Sequence, residues 1–171
     1  MKEAITKKML ELSQNDKVRF IGYNTAKGHQ MYSTLSHPCS LSRCIETPVA
    51  ENLMMGLGMG LALEGYIPIV CFERCDFILP AIDALVNHMD KLPFISGNQF
   101  QFKMIVRIIV GTDKPIDPGC QHTGSYIEAL DSMLKYTPIL PIMEKRDIKR
   151  AYNLDTLTRA RVVVEYKSLY S

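Results

Sequence analysis

The chain has 171 residues, of which 47% are hydrophobic and 22% are charged, and its formal net charge is +2. A chain of this length forms a single domain that buries roughly two-thirds of the surface exposed by its unfolded state. The small net charge gives no electrostatic reason to expect nucleic acid as a partner. No apolar run reaches the roughly 18 residues needed to cross a membrane, so we predict a globular domain spanning residues 1–171.

The chain begins with an amphipathic segment in which Ile5, Met9 and Leu12 share one helical face. This N-terminus lacks the apolar core of a signal peptide, so we predict a cytoplasmic protein. Residues 18–21 form an apolar strand closed by a glycine turn. The polar stretch 23–43 predicts a long loop with one helical turn, and loops of this length are usually functional.

The remainder of the chain alternates between helical patterns and apolar runs. Strands that are apolar on both faces and alternate with helices are typical of a covered parallel sheet. The fold class is therefore α/β, with a mostly parallel sheet of about six strands and helices on both faces. Helices are predicted over residues 48–65, 77–92, 125–134 and 144–152, and continuous apolar strands over residues 67–72, 104–110, 139–143 and 162–166.

The chain has five cysteines, an odd number without a regular framework, which indicates reduced thiols. His37, Cys39 and Cys44 are close enough in sequence to supply zinc ligands. No second tight pair completes such a site, so we predict no metal site formed by this chain.

Glu51 stands at the start of a segment that is otherwise apolar and spotted with glycines. In one interpretation Thr47 caps the helix, Pro48 takes its first position, and the acidic side chain only complements the helix dipole. The glycines of residues 56–65 lack the Gly-x-Gly-x-x-Gly spacing of a dinucleotide site. Close packing of the helix against a neighbouring backbone explains these glycines better.

Four motifs, ETPVAEN, GYIPIVCFERCDFILPAIDALVNHMDKL, FISGN and CQHTGS, occur in this order. Their order and spacing resemble the beta subunit of the 2-oxo acid dehydrogenase decarboxylase component. The resemblance covers nearly the whole chain and corresponds to the first domain of that subunit. This is the pyrimidine-binding domain of the transketolase-like thiamine-diphosphate enzymes. It implies that the C-terminal domain of the family is absent here.

The resemblance implies roles for individual residues. Glu51 matches the glutamate that bonds a ring nitrogen of the cofactor's aminopyrimidine and activates the cofactor. Phe77 matches the phenylalanine that stacks on this ring, and His122 matches a histidine that contacts the substrate. Val49 and Glu73 are further expected at the cofactor. Without the resemblance, core packing would explain Phe77 and solvation would explain His122.

The family binds the cofactor diphosphate and Mg²⁺ through a Gly-Asp-Gly motif, which this sequence lacks. The resemblance therefore implies a separate alpha-type subunit that binds the diphosphate and Mg²⁺, together with self-association. The expected reaction is decarboxylation of a small 2-oxo acid followed by acyl or aldehyde transfer.

The sequence departs from the family pattern at Glu73 and Arg74 and at the turn Gly-Tyr-Asn of residues 22–24. Two alternatives therefore stay open. The alternatives to the expected 2-oxo acid enzyme are a non-catalytic interaction or regulatory paralogue and the subunit of a split transketolase acting on sugar phosphates. The latter requires more basic residues at the mouth of the site than the sequence pattern indicates.

Overall fold

The computed structural model describes residues 1–101, 103–114 and 116–170. Six parallel strands form one sheet in the order β2-β1-β3-β4-β6-β5. The predicted α/β class is confirmed, and the short edge strand β2 lies just after the stretch that was predicted as a loop. The strands are β1 Val18–Gly22, β2 Cys44–Glu46, β3 Ile67–Phe72, β4 Ile105–Val110, β5 Ile139–Pro141 and β6 Arg161–Tyr166.

Helices cover both faces of the sheet, as predicted. Helices α3 and α5 pack on one face of the sheet, and α1 and α6 pack on the other. Each face has its own apolar core beneath its helices. Within the described ranges no helix is both long enough and apolar enough to cross a membrane. The helices are α1 Lys2–Ser13, α2 Pro38–Leu41, α3 Glu51–Leu63, α4 Leu92–Ile95, α5 Ile127–Met133 and α6 Lys145–Ala151.

The single helix predicted over residues 77–92 is wrong in detail. A 3₁₀ helix spans Cys75–Ala81 and a π-helical turn spans Ala84–Met89. Pro80 lies inside the 3₁₀ helix and has no N–H to donate, so a regular α-helical ladder cannot run through this segment.

The helix that carries Glu51 begins later than predicted. The N–H of Thr47 donates to the carbonyl of Gly22 (3.1 Å), so Thr47 continues the edge strand instead of capping a helix. The cap is Ala50, whose side chain makes no capping bond, and Glu51 is the first residue of α3. The capping interpretation of Thr47 and Pro48 is therefore wrong.

The strand predicted as a continuous apolar run over residues 104–110 contains a buried charge. Arg107 on β4 donates from Nε (3.0 Å) and Nη2 (2.8 Å) to the carboxylate of Glu165 on β6. Both side chains are fully buried. The hydroxyls of Tyr152 and Tyr170 also donate to Glu165, so each oxygen of this carboxylate accepts two bonds. We call these four residues the core polar cluster.

The strand order reverses direction twice. The chain moves from β1 outward to β2 and then crosses to β3, and it later moves from β4 outward to β5 and returns to β6. In open parallel sheets, crevices form outside the carboxyl ends of the strands at such reversals, and ligands bind there. The connections that follow the neighbouring strands β1 and β3 leave in opposite directions, so the fold offers such a crevice between β1 and β3.

Candidate functional site

Tyr23 stands at the crevice between β1 and β3, directly after the carboxyl end of β1. Its side chain is buried, and its hydroxyl has no hydrogen-bond partner among the described residues. Burial, and then the negative charges of Glu73 and Glu51, raise the pKa of this hydroxyl far above its ordinary value. The two carboxylates therefore lie near one buried, unpaired phenol, an arrangement that a hydrogen-bonding ligand would complete.

The turn that carries Tyr23 is held by the carboxylate of Glu46, at the end of β2. This carboxylate accepts from the backbone N–H groups of Asn24 (2.8 Å), Thr25 (3.0 Å) and Ala26 (2.7 Å). Partial burial raises the pKa of Glu46, but the hydrogen bonds outweigh this effect and lower the pKa overall. Glu46 therefore fixes the backbone from which Tyr23 projects.

Phe77 and His122 extend the site beyond Tyr23. The ring of Phe77 lies 6.0 Å from that of Tyr23 and meets the ring of His122 edge-on at 5.4 Å. Nδ1 of His122 is buried and has no hydrogen-bond partner in the part of the chain that the structure describes, whereas the backbone carbonyl of His122 accepts from Nη1 of Arg74 (3.3 Å). Gly111 permits this approach, because a Cβ there would stand 2.0 Å from the His122 carbonyl oxygen. The result is an aromatic wall with an unpaired ring nitrogen.

Glu73 follows β3 and is already engaged within the chain. Its carboxylate lies 2.6 Å from Nε2 of His29 and accepts from the side-chain amide of Asn24 (3.2 Å). Burial raises the pKa of Glu73, but the contacts with His29 and Asn24 and the charge of Arg74 lower it overall. Glu73 therefore remains a carboxylate near the site, with one side held by the long loop.

That loop contains an unusual turn. Residues 30–33 are four consecutive non-glycine residues with φ between 50° and 65°, in the left-handed region. Met31 and Leu35 are fully buried in the core, and the hydroxyl of Thr34 accepts from Arg107 (2.9 Å). These anchors hold the His29 ring stacked on Tyr32 at 4.6 Å.

The structure brings most of the predicted site residues together. The charges of Glu51 and Glu73 both raise the pKa of Tyr23. The ring of Phe77 lies between the rings of Tyr23 and His122 and is paired with each of them. Val49, in contrast, is 73% exposed and lies outside this group in the isolated chain.

Sequence analysis missed Tyr23, His29 and Glu46 as parts of the site. The position of Tyr23 directly after a buried strand was the available signal, because carboxyl ends of neighbouring parallel strands meet at one edge. His29 and Glu73 are 44 positions apart in the sequence, so no local sequence pattern predicts their contact.

No group of three or more histidine, cysteine or acidic side chains within the described ranges could hold a metal ion. His37, considered above as a zinc ligand, instead caps α2. Its Nδ1 accepts from the backbone N–H of Cys39 (3.2 Å).

Comparison with known proteins adds to this geometry. The family described as "Transketolase, pyrimidine binding domain" matches residues 1–133. The chain is 32% identical over 130 residues to the mitochondrial pyruvate dehydrogenase E1 component subunit beta of Saccharomyces cerevisiae, which covers 74% of this chain and 35% of the relative. It is 33% identical over 69 residues to the 2-oxoisovalerate dehydrogenase subunit beta of Bacillus subtilis, a match that covers 40% of this chain and 21% of the relative.

Among solved structures, the fold is similar to that of a split-gene transketolase described as an inactive beta4 tetramer. The TM-score is 0.69 at 17% sequence identity, covering 95% of this chain and 50% of the other. This likeness concerns the fold alone. The chain spans about a third of the length of the yeast relative.

Proposed function

The chain belongs to the family of transketolase pyrimidine-binding domains, and from this premise we propose that it supplies half of a thiamine diphosphate site shared with a second polypeptide. The observation that carries the proposal is the position of Glu51. It is half-buried in the first turn of α3, beside the buried and unpaired hydroxyl of Tyr23. A carboxylate next to an unsatisfied buried polar group is costly unless a ligand completes it.

The side chains present fit an aminopyrimidine. Glu51 would bond a ring nitrogen, Phe77 would offer a face for stacking, and Tyr23 and His122 would pair their free polar atoms with the ligand. When bound, thiamine diphosphate supplies a carbon acid whose conjugate base adds to the carbonyl of a 2-oxo acid and accepts the electrons released by decarboxylation.

The chain's own contribution is the movement of one proton and the exclusion of water. Glu51 would hold a proton at its carboxyl oxygen and pass it to or from the ring nitrogen, which a glutamine could not do. Phe77 and Tyr23 would keep the ring in place and limit the access of solvent. Glu73, tied to His29, would add a negative charge at the rim and bias which substrates approach.

The diphosphate and Mg²⁺ would be held by the partner chain. This sequence contains no Gly-Asp-Gly, and no acidic or histidine cluster able to hold a metal occurs in the described ranges. We therefore propose an alpha-type subunit that closes the site over Glu51.

The exposed face of α3 is the proposed docking surface for that subunit. Leu53 and Leu63 are 55% and 45% exposed, and with Gly56 and Gly60 they repeat at spacings of three, four and three residues, which place side chains on one helix face. Val49, which precedes the helix, is 73% exposed. A Cβ at either glycine would meet nothing within 4 Å, so packing within this chain does not require them. Close approach of a helix from another chain would require small residues at these two positions. Glu51 lies on the opposite side of α3, with the buried Met54, Met55 and Gly58, so this surface and the site are reached from different sides of the helix.

Gly60→Ala tests this surface. Alanine removes the helix penalty of glycine, about 1 kcal/mol, so the variant should melt at a higher temperature alone while its affinity for the partner falls. Gly58→Ala is the contrasting variant, because a Cβ there would lie 2.6 Å from a methyl of Val70 and should destabilise the chain. A Gly60→Ala chain that binds the partner as tightly as the parent would contradict the proposal.

Glu51→Gln tests the chemistry. The chain is mixed with a candidate partner containing Gly-Asp-Gly, thiamine diphosphate and Mg²⁺, and the consumption of pyruvate or 2-oxoisovalerate is followed. We expect turnover by the parent and a loss of about 100-fold or more in the variant. Glu64→Gln, at the other end of the same helix, is the matched control and should keep full activity.

The same assay separates the alternatives. A stable complex without turnover would favour a regulatory role. The structure offers one observation for this role, because the Glu73 carboxylate at the rim of the site is already bonded to His29 and Asn24. Transfer of a ketol group between sugar phosphates, without 2-oxo acid consumption, would favour a split transketolase.

A further inference from the structure

The loop that carries His122 has little regular structure of its own. Among the described residues between β4 and α5, the 3₁₀ turn Cys120–His122 is the only helical or strand element. Cys120 and Gln121 within this turn are exposed, so the position of the loop depends on contacts with other parts of the chain. We call residues 119–126 the histidine loop.

Two polar side chains that follow β3 bond the backbone of the histidine loop. Nη1 of Arg74 donates to the carbonyl of His122 (3.3 Å), and Oδ1 of Asp76 accepts from the N–H of Gly124 (3.1 Å). Each bond joins residues that are 48 positions apart in the sequence. Because the two bonds lie on either side of Thr123, they fix the backbone next to His122 relative to the end of β3.

A buried cysteine adds a third contact between the same two segments. Sγ of Cys75 accepts from the backbone N–H of Tyr126 (3.4 Å). Burial raises the pKa of this thiol, so it stays neutral and acts as a weak acceptor. The three consecutive residues 74–76 therefore bond three backbone groups of the histidine loop.

Two glycines provide the space for the contacts of Arg74 and Asp76. A Cβ on Gly111, directly after β4, would lie 2.8 Å from Nη1 of Arg74. A Cβ on Gly124 would lie 2.6 Å from Oδ1 of Asp76. Atoms at such distances overlap, so a side chain at either position would displace the group that makes the hydrogen bond.

The guanidinium of Arg74 is itself held by the left-handed turn of residues 30–33. It lies 5.5 Å from the centre of the Tyr32 ring, which stacks on His29 at 4.6 Å. Arg74 forms no salt bridge with a described residue, so no carboxylate competes with the His122 carbonyl for its donors. A planar guanidinium can face a ring and still donate from its edge, so Arg74 connects this turn to the histidine loop.

We propose that Arg74 and Asp76 are positioning residues for His122. By bonding the His122 carbonyl and the N–H of Gly124, they hold the His122 ring edge-on to Phe77 at 5.4 Å. This keeps Nδ1 of His122, which has no partner among the described residues, at the candidate site. Arg74 departs from the family pattern and yet supports the site. The docking of the loop concerns this chain alone, whereas its effect on turnover rests on the function proposed above.

The first test follows amide hydrogen exchange in the full chain without a partner. We expect Arg74→Leu and Asp76→Ala each to speed exchange in the histidine loop by about tenfold or more, because a hydrogen-bonded amide exchanges when its local contact opens. Arg74→Lys keeps a cationic donor and should restore part of the protection. The amides of β4 should stay protected in every variant, which shows that the fold is intact.

Arg159→Leu is the matched control for hydrogen exchange. Nη1 of Arg159 also donates to a backbone carbonyl, that of Tyr136 (3.4 Å), which lies outside the histidine loop. The control should therefore leave exchange in the histidine loop unchanged. Unchanged exchange in Arg74→Leu and Asp76→Ala as well would overturn the proposal.

The second test is a double-mutant cycle in the complex assayed above, with pyruvate as the substrate. Arg74→Leu should lower kcat/KM by about tenfold or more, since a small displacement of a positioned group can cost about 100-fold. In a His122→Gln background the same substitution should have no further effect, which a general structural role would not produce. Equal losses in the two backgrounds would overturn the positioning role. Absence of turnover by the parent would instead contradict the proposed function, and hydrogen exchange would still decide whether these residues dock the loop.

Discussion

Two groups of buried polar side chains in this domain differ in how completely they are paired. In the core polar cluster both oxygens of Glu165 are satisfied, and the single orphan atom is Nη1 of Arg107. At the candidate site, in contrast, the hydroxyl of Tyr23 and Nδ1 of His122 lack partners in the described residues, and so do one oxygen of Asp76 and the hydroxyl of Thr47, which adjoin site residues in the sequence.

Unpaired buried groups destabilise a fold, so those at the candidate site are consistent with the bound ligand proposed above. The core polar cluster is built for the fold, because it joins β4, β6 and the long loop. The unpaired atoms at the candidate site are instead available to a ligand or a partner chain. The difference between the two can be measured, since equivalent substitutions should have opposite effects on stability.

The largest effect is expected for Arg107→Leu. The substitution leaves the Glu165 carboxylate fully buried without its cation, which typically costs about 3–5 kcal/mol. Unfolding in urea should show this loss. Arg150→Ala, which removes the exposed contact with Asp147, should cost less than about 1 kcal/mol. A loss below 1 kcal/mol for Arg107→Leu would mean that the cluster contributes little.

A matched pair of hydroxyl deletions sharpens the comparison. Tyr152→Phe removes a donor to Glu165 and should cost about 1.5–3 kcal/mol, as for hydrogen bonds to charged groups. Tyr23→Phe removes a buried hydroxyl that has no partner among residues 1–101, 103–114 and 116–170, so the free energy of unfolding should stay constant or rise. Equal destabilisation by both substitutions, measured by denaturant unfolding, would remove the distinction between the two groups.

The smallest expected effect concerns Glu46, the one fully bonded carboxylate at the candidate site. The pKa of Glu46 is lowered in the folded state, so its stabilisation is complete above the unfolded pKa of about 4.3 and is lost as the pH falls below it. Glu46→Gln should cost roughly 1 kcal/mol at pH 7 and flatten the decline of stability in acid. Glu128→Gln, at an exposed position of α5, is the control. A parallel acid decline in the parent and Glu46→Gln would contradict this role.

The sheet was predictable because its strands are apolar and its connections are helical. The runs around Ile67–Phe72 and Arg161–Tyr166 lie buried between two helical layers, and burial on both faces produces this pattern. The edge strand Cys44–Glu46 was missed because only three half-buried residues form it. The π-helical turn Ala84–Met89 was missed because its side-chain pattern resembles that of an α-helix.

The candidate site was only partly predictable. Glu51 was identified from its place before an apolar helix and from the family pattern. The pairing of Arg107 with Glu165 joins residues 58 positions apart, and the single arginine was concealed within an otherwise apolar run. Such features arise from topology, which a linear pattern does not encode.

The left-handed turn of residues 30–33 has a consequence for motion. Each non-glycine residue in this conformation costs roughly 1–2 kcal/mol, and the buried side chains of Met31 and Leu35 offset that cost together. Intermediate geometries would keep the cost and lose the compensation, so the turn should be held in place or released as one unit. The loop beside the crevice between β1 and β3 is therefore rigid, and a ligand that binds against it loses little affinity to ordering the chain.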